Sequence, residues 1–226
     1  MGGVLLAPLL VAVAGLELHE AVAVASSSFL FTGLVGTLAY ARRGTIDWSL
    51  ARWLSLGALV TALWGAFVST RLSPSAVGLC LGLLTCTAGI TGLMRPGAIE
   101  RSFTPGRALV LGAGVGFGSA LTGTGGPVLL LPLLTLLRYP VRGAVGASQV
   151  IQVPLALVAG LGFWLFGTLD LSLAVTVGLV QGVGAVAGSQ LAHWLPVSVL
   201  KRVLTIVLFT TGAYLISRSL LGTSPG

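Results

Sequence analysis

Hydrophobic residues run along this chain in long uncharged blocks, without the alternation of a half-buried strand or the one-sided stripe of a surface helix. Residues 21–41, 53–70, 72–94, 108–137, 143–169, 171–200 and 203–217 contain no Asp, Glu, Lys or Arg. A membrane-spanning helix needs about 20 such residues. The breaks between blocks carry interfacial residues and helix stops: Tyr40, Arg42, Arg43, Asp47 and Trp48; Arg71, Ser73 and Pro74; Arg95 and Pro96; Arg138, Tyr139 and Pro140; His193, Trp194 and Pro196. The pattern predicts spans near 21–41, 48–70, 75–94, 144–166, 171–194 and 198–217.

The block at 107–138 does not fit as one straight span. At 1.5 Å per residue it would extend about 46 Å, against a bilayer core of about 30 Å. Its middle, Leu121-Thr122-Gly123-Thr124-Gly125-Gly126-Pro127, stops one helix and starts another, because Pro is favoured at a first helical position. Arg107 and Arg138 at the outer ends point to a re-entrant hairpin whose arms return to the same face and whose tip lies at membrane depth. With that hairpin, ten basic residues (Arg42, Arg43, Arg52, Arg95, Arg101, Arg107, Arg138, Arg142, Lys201 and Arg202) share one side and only Arg71 and Arg218 take the other. With every segment crossing, the division is a featureless five against seven. The positive-inside rule therefore selects the hairpin and places loops 42–52, 95–107, 138–142 and 195–202 in the cytoplasm.

Composition agrees with a polytopic membrane protein: 55% of the 226 residues are apolar and 8% charged, with mean hydropathy +1.04, whereas soluble domains carry about a quarter charged residues. The formal charge of +7 is scattered between apolar blocks and forms no stripe that could follow a phosphate backbone, which argues against nucleic acid as a partner. Cys80 and Cys86 match neither a disulfide framework nor a metal knuckle. Leu6 breaks the myristoylation pattern, and no cleavable leader is evident.

An internal repeat orders the chain. Gly44-Thr-Ile-Asp47-Trp-Ser-Leu-Ala51 recurs as Gly167-Thr-Leu-Asp170-Leu-Ser-Leu-Ala174, six of eight identical at an offset of 123, and the same offset aligns Gly65 with Gly188 and Gly89 with Gly212. A near-equal offset aligns Gly2-Gly3 and Pro8 with Gly125-Gly126 and Pro132. Each unit comprises a broken-helix hairpin plus three spans, an odd number of crossings, so the copies are expected to be inverted. The expected fold is thus an all-α membrane protein: repeat one at 1–94, a cytoplasmic linker at 95–106, repeat two at 107–218 and a tail at 219–226. The first arm of the first hairpin is missing in this alignment, and a start assigned too late is the favoured explanation.

The tip Thr122-Gly123-Thr124-Gly125-Gly126 is the sharpest candidate for chemistry. The N-terminus of its second arm presents unpaired N–H groups and the positive end of a helix dipole, a ready anion site, with Thr122 and Thr124 hydroxyls as further donors. Gly2 and Gly3 are its counterparts in repeat one. Polar clusters follow each hairpin: Ser26, Ser27 and Ser28 in one, Ser148, Gln149 and Gln152 in the other. Neutral donors suit an anion that must also leave, and the alternative for these side chains is hydrogen bonding between helices. Pro154 is expected to kink its span. Gly78/Gly82, Gly112/Gly116, Gly114/Gly118, Gly178/Gly182 and Gly184/Gly188 have the four-residue spacing of close helix packing, and exposed faces of this type permit a homodimer. Glu17, His19 and Glu20 read as a solvated interface, and Asp47 and Asp170 as helix caps. No nucleophile–base pair, metal cluster or nucleotide motif is present, so neither an enzyme nor a cofactor is expected.

Gly116-Phe-Gly-Ser-Ala-Leu-Thr-Gly-Thr-Gly-Gly-Pro-Val-Leu-Leu-Leu-Pro132, Ala144-Val-Gly-Ala-Ser148 and Arg43-Gly-Thr-Ile-Asp47 resemble the TauE/SafE family of sulfite and organosulfonate exporters over nearly the whole chain. The resemblance implies about eight membrane segments and secondary transport of small, mostly sulfur-containing or carboxylate anions across the inner membrane. A non-transporting scaffold or accessory subunit is the alternative, and an uncharged-solute channel stands third.

Overall fold

The structure, a computed structural model, describes residues 5–93, 103–137, 139–166 and 169–192, together with 206, 209, 210, 212–214, 216 and 217. Among the described residues there are eight helices and no strand: α1 Leu6–Ala14, α2 Leu18–Arg42, α3 Trp48–Arg71, α4 Pro74–Leu93, α5 Pro105–Thr122, α6 Gly126–Leu136, α7 Val141–Leu165 and α8 Leu171–Ala192. The spans expected from charge gaps fall on α2, α3, α4, α7 and α8 to within a few residues, and the block at 107–138 is divided into α5 and α6. Three helices, Leu18–Arg42, Trp48–Arg71 and Gly143–Leu165, are long and apolar enough to cross a membrane. The linker at 95–102, the Gly2-Gly3 tip, the His193-Trp194 break, Lys201, Arg202 and the tail lie outside the described residues.

Caps set the helix boundaries. Asp47 Oδ1 accepts from Leu50 N at 3.0 Å, and Asp170 Oδ1 from Leu173 N at 3.0 Å. The two acids therefore satisfy orphan amides at the starts of α3 and α8, as expected from their place in the repeated octapeptide. Gly15 and Gly123 end α1 and α5 in the left-handed conformation, at φ 66° and 67°. Pro154 lies within a continuous α7, and Pro132 within α6.

Glycine lets the helices approach to backbone contact. On α3, Gly57 faces the Leu109 carbonyl and Ala113 N, while Gly65 faces Phe117 and Ala120; from α5, Gly112 lies on the Leu54 backbone and Gly116 on Ala58. Residue numbers rise together along both helices, so α3 and α5 are parallel. Thr61 Oγ1 and Ser69 Oγ donate across this seam to the Ala113 and Leu121 carbonyls at 2.7 and 2.9 Å. Of the expected glycine pairs, Gly112/Gly116 and Gly178/Gly182 do pack, the latter under Phe31, whereas Gly114 and Gly184 face open space.

Helix α7 also runs parallel to α3, with Gly146 beside Thr45 and Ile46 and Gly162 beside Leu63 and Ala66. It runs antiparallel to α2, with Gly160 beside Ser27, Gly33 beside Gln152 and Val153, and Gly36 beside Gln149. The bundle consequently has two ends. The Asp47 end holds loop 43–47, Phe103–Thr104 and residues 137, 139 and 140; the Asp170 end holds residues 15–17, 72–73 and 169–170. Arg42, Arg43, Arg52 and Arg107 belong to the first end and Arg71 to the second. Helix α5 starts at the Asp47 end, and α6 returns there to Tyr139, whose hydroxyl reaches Asp47. The two arms thus form the hairpin that the basic residues called for.

The elements keep the 123-residue offset. Helix α2 spans 18–42 and α7 spans 141–165; α3 starts at 48 and α8 at 171. Interfaces exchange in the same way: α3 packs on α7 and α8 on α2, while α1 packs on α2 and α6 on α7.

Because the space beside Gly112 and Gly116 is filled by α3 backbone, Gly112→Val and Gly116→Val are expected to lower stability by about 1–3 kcal/mol each, the usual cost of overpacking. Gly114→Val, which points into open space, is expected to leave the thermal unfolding midpoint in detergent unchanged; equal losses at all three positions would contradict the packing described.

Candidate functional site at the hairpin tip

The tip is where regular hydrogen bonding stops, and its backbone must find partners inside the protein. The Gly123 N–H donates to the Ser119 carbonyl at 2.9 Å, closing α5. Ser119 Oγ donates to the Gly125 carbonyl at 3.1 Å, bracing the turn. Thr122 Oγ1 donates to the Gly118 carbonyl at 2.7 Å and lies 3.0 Å from Thr124 Oγ1. Since the Thr122 proton is committed to Gly118, Thr124 is the donor within this pair. Gly123 and Gly125, at φ 67° and 74°, give the turn its left-handed steps.

Two long helices enclose the tip. A Cβ at Gly123 would meet Val22 at 3.0 Å, and one at Gly125 would meet the Phe29 ring at 3.1 Å. From the other side, Gly126 lies against Ile151, Ser148 and Gln152, near the middle of α7. Helix α6, eleven residues long, therefore begins buried, about midway along both α2 and α7. Thr122, Thr124, Ser148, Gln152, Ser26 and Ser28 are all at most 4% exposed.

The sequence candidates separate here into two kinds. Gln152 Nε2 donates to the Phe29 carbonyl at 3.1 Å and to Thr32 Oγ1 at 2.7 Å, so its amide hydrogens clamp α7 to α2. Ser148 Oγ is turned back to the Val145 carbonyl, Ser28 Oγ to Ala25 and Ser27 Oγ to Ala23. Ser28 also accepts from Gln181 Nε2 of α8 at 2.9 Å. Gln149 packs its amide against Gly36. Ser26 differs: its Oγ is buried with no hydrogen-bond partner among the described residues. It shares with Val22 and Phe29, at spacings of four and three, the α2 face that packs on the tip. Gly2 and Gly3 lie outside the described residues.

Sequence reasoning missed Ser119, Phe29 and Tyr139. Ser119 is four residues before the helix-ending Gly123, the spacing of a bond back across a turn. Phe29 is the 123-offset counterpart of Gln152, and the pair touch. Tyr139 bonds Asp47 Oδ2 at 2.6 Å and packs its ring on Phe103, centroids 5.5 Å apart. Burial works to raise the Asp47 carboxyl, but the Tyr139 hydroxyl and the Leu50 and Ser49 amides outweigh it and hold the group below its usual 3.8. Burial and the neighbouring carboxylate push the Tyr139 hydroxyl well above its usual value. Among the described residues no three His, Cys, Asp or Glu come together as a metal site.

A bundle of apolar helices with a buried, broken hairpin at its middle is an architecture that membrane transporters use. The profile of the sulfite exporter TauE/SafE family matches residues 1–215, and the chain belongs to this family. A relative from Bacillus subtilis (strain 168), named "Probable membrane transporter protein YdhB", is 25% identical over 210 residues, covering 89% of this chain and 86% of its own. No solved structure matches the chain.

Gly125→Ala and Gly44→Ala impose the same left-handed strain, about 1–2 kcal/mol, but only the first also meets a ring. Gly125→Ala is expected to lower the unfolding midpoint more, and equal shifts would remove the Phe29 contact from the account. The lowered Asp47 carboxyl contributes stability above its ordinary value that is lost as pH falls through the lowered one. An acid limb of thermal stability below about pH 4 should therefore be shallower in Asp47→Asn than in the parent protein.

Proposed function

We propose that this protein is a secondary carrier of small anions, sulfur-containing oxyanions or sulfonates foremost, working by alternating access. The reading rests first on the Ser26 hydroxyl. An orphaned buried hydroxyl costs about 1–3 kcal/mol, and this one lies on the helix face packed against a buried helix N-terminus, where an anion would satisfy it. The substrate would take the Gly126, Val128 and Leu129 amides of the first α6 turn, the α6 dipole, Ser26 and a reoriented Thr124 as donors. Gly2-Gly3 would supply the equivalent turn from repeat one. The absence of a fixed cation among these groups keeps binding weak enough for release.

The offset of 123 shared by element boundaries and interfaces, and the opposite directions of α2 and α7, support two inverted repeats that rock against each other. The concentration of Arg42, Arg43, Arg52 and Arg107 at the Asp47 end supports a cytoplasmic position for that end, in a bacterial inner membrane.

Thermal unfolding of purified protein against sulfite, thiosulfate, sulfoacetate, sulfate and short carboxylates, at matched ionic strength, tests the reading, because a ligand of the folded state raises stability by mass action. One anion class should give a saturable shift. Ser26→Ala should raise ligand-free stability slightly, since it removes an unsatisfied group, yet weaken anion binding about tenfold or more, the weight of a hydrogen bond to a charge. No shift with any anion would leave the non-transporting scaffold as the better account.

A further inference from the structure

The Asp47 end is closed by one charge-assisted hydrogen bond over an apolar plug. Tyr139 follows α6 and is 8% exposed; Ile46 precedes α3 and is 9% exposed; Leu134 is fully buried. Phe103, just before α5, stacks on the Tyr139 ring. Gly143 admits that ring and Gly146 admits the Thr45–Ile46 backbone, so the start of α7 closes the same spot. Tyr139 N is fixed to the Leu134 carbonyl at 2.9 Å, and Thr45 N to the Tyr40 carbonyl at 3.3 Å. Each partner is thus held from its own side, and the 2.6 Å contact between Tyr139 Oη and Asp47 Oδ2 joins them. It connects the α2–α3 loop of the first half to the α6–α7 loop of the second.

Two further observations give this contact a direction. Thr37 on α2 and Ser55 on α3 are buried hydroxyls without partners among the described residues, and both lie between mid-helix and the Asp47 end. At the other end the 123 offset pairs Asp170 with Leu16. Asp170 caps α8 as Asp47 caps α3, but it is exposed, and Leu16 has no hydroxyl to offer.

We propose that the Asp47–Tyr139 hydrogen bond is a one-sided latch that holds the carrier closed at the Asp47 end, and that the lack, among the described residues, of an equivalent at Asp170 sets which way the empty carrier faces. The proposal rests on the alternating-access reading above, and its test needs no anion, so the two can fail separately. Asp47 and Tyr139 are positioning residues: they lie away from the tip and act on the equilibrium between its two exposures. Removing Tyr139 Oη alone keeps the ring stacked on Phe103 and the cap on Leu50.

The test uses full-length protein in membranes with Cys80→Ser and Cys86→Ser, and one reporter at a time: Ile46→Cys under the plug, or its offset counterpart Leu169→Cys at the opposite end. The rate of modification by N-ethylmaleimide is read with and without Tyr139→Phe. The expected result is reciprocal: labelling at 46 rises about tenfold, the shift in open fraction that goes with losing one hydrogen bond to a charge, and labelling at 169 falls. Asp47→Asn, whose one amide oxygen keeps the Leu50 N cap while its NH2 donates to Tyr139 Oη in a weaker, uncharged bond, should move both rates in the same directions by less, and guards against a folding defect in the first variant. A rise at 46 with no change at 169 would show local fraying and overturn the latch, as would unchanged rates at both positions.

Discussion

A broken helix inside a bilayer has no water to complete its backbone, and the arrangement around residues 122–126 answers that constraint. Ser119 reaches forward to the Gly125 carbonyl, Gly123 N reaches back to Ser119, and Thr122 and Thr124 bond each other. Helices α2 and α7 then cover the turn from two sides through Val22, Phe29, Ser148 and Ile151. Among the described residues, the side-chain group at the tip left without a partner is the hydroxyl of Ser26. The polar chemistry left over at the tip is neutral and donating, which is why the functional reading turns on an anion.

The covering is possible only because glycine removes side chains where helices must touch. The α3–α5 seam brings Gly57, Gly65, Gly112 and Gly116 to backbone contact and crosses it with the Thr61 and Ser69 hydroxyls. Such contact is available in lipid, where apolar burial gives no advantage between helices and close packing with interhelical hydrogen bonds must hold them together. The α2–α7 crossing uses a different device, the Gln152 amide on the Phe29 carbonyl and Thr32 hydroxyl.

Much of the fold was legible from the sequence because charge gaps and helix-breaking residues are local signals with strong physical causes. The length of block 107–138 against a bilayer, with glycines and a proline at its centre, was enough to divide α5 from α6, and the balance of arginines was enough to fold them back. The octapeptide repeat located both Asp caps. The fate of individual polar side chains was less legible, since it depends on where neighbouring helices fall. Gln152 and Ser148 read from sequence either as substrate donors or as hydrogen bonding between helices, and in the structure one clamps α2 while the other bonds within its own helix. Ser26 was one of three consecutive serines, and only its place on the face shared by Val22 and Phe29 separates it from Ser27 and Ser28. Gly114 and Gly184 carry the same spacing as glycines that pack, but no partner among the described residues comes to them.

Phe29 and Gln152 stand exactly one repeat apart and are bonded to each other near the middle of α2 and α7. Two rods that lie side by side and are held at their midpoints behave as a rocker: a tilt about the joint that parts them at one end brings them together at the other. On the alternating-access reading proposed above, the hydrogen bond between these two residues would be the fulcrum. In such a linkage the two ends need no signal relayed between them, because their opposition is already contained in the geometry of the joint.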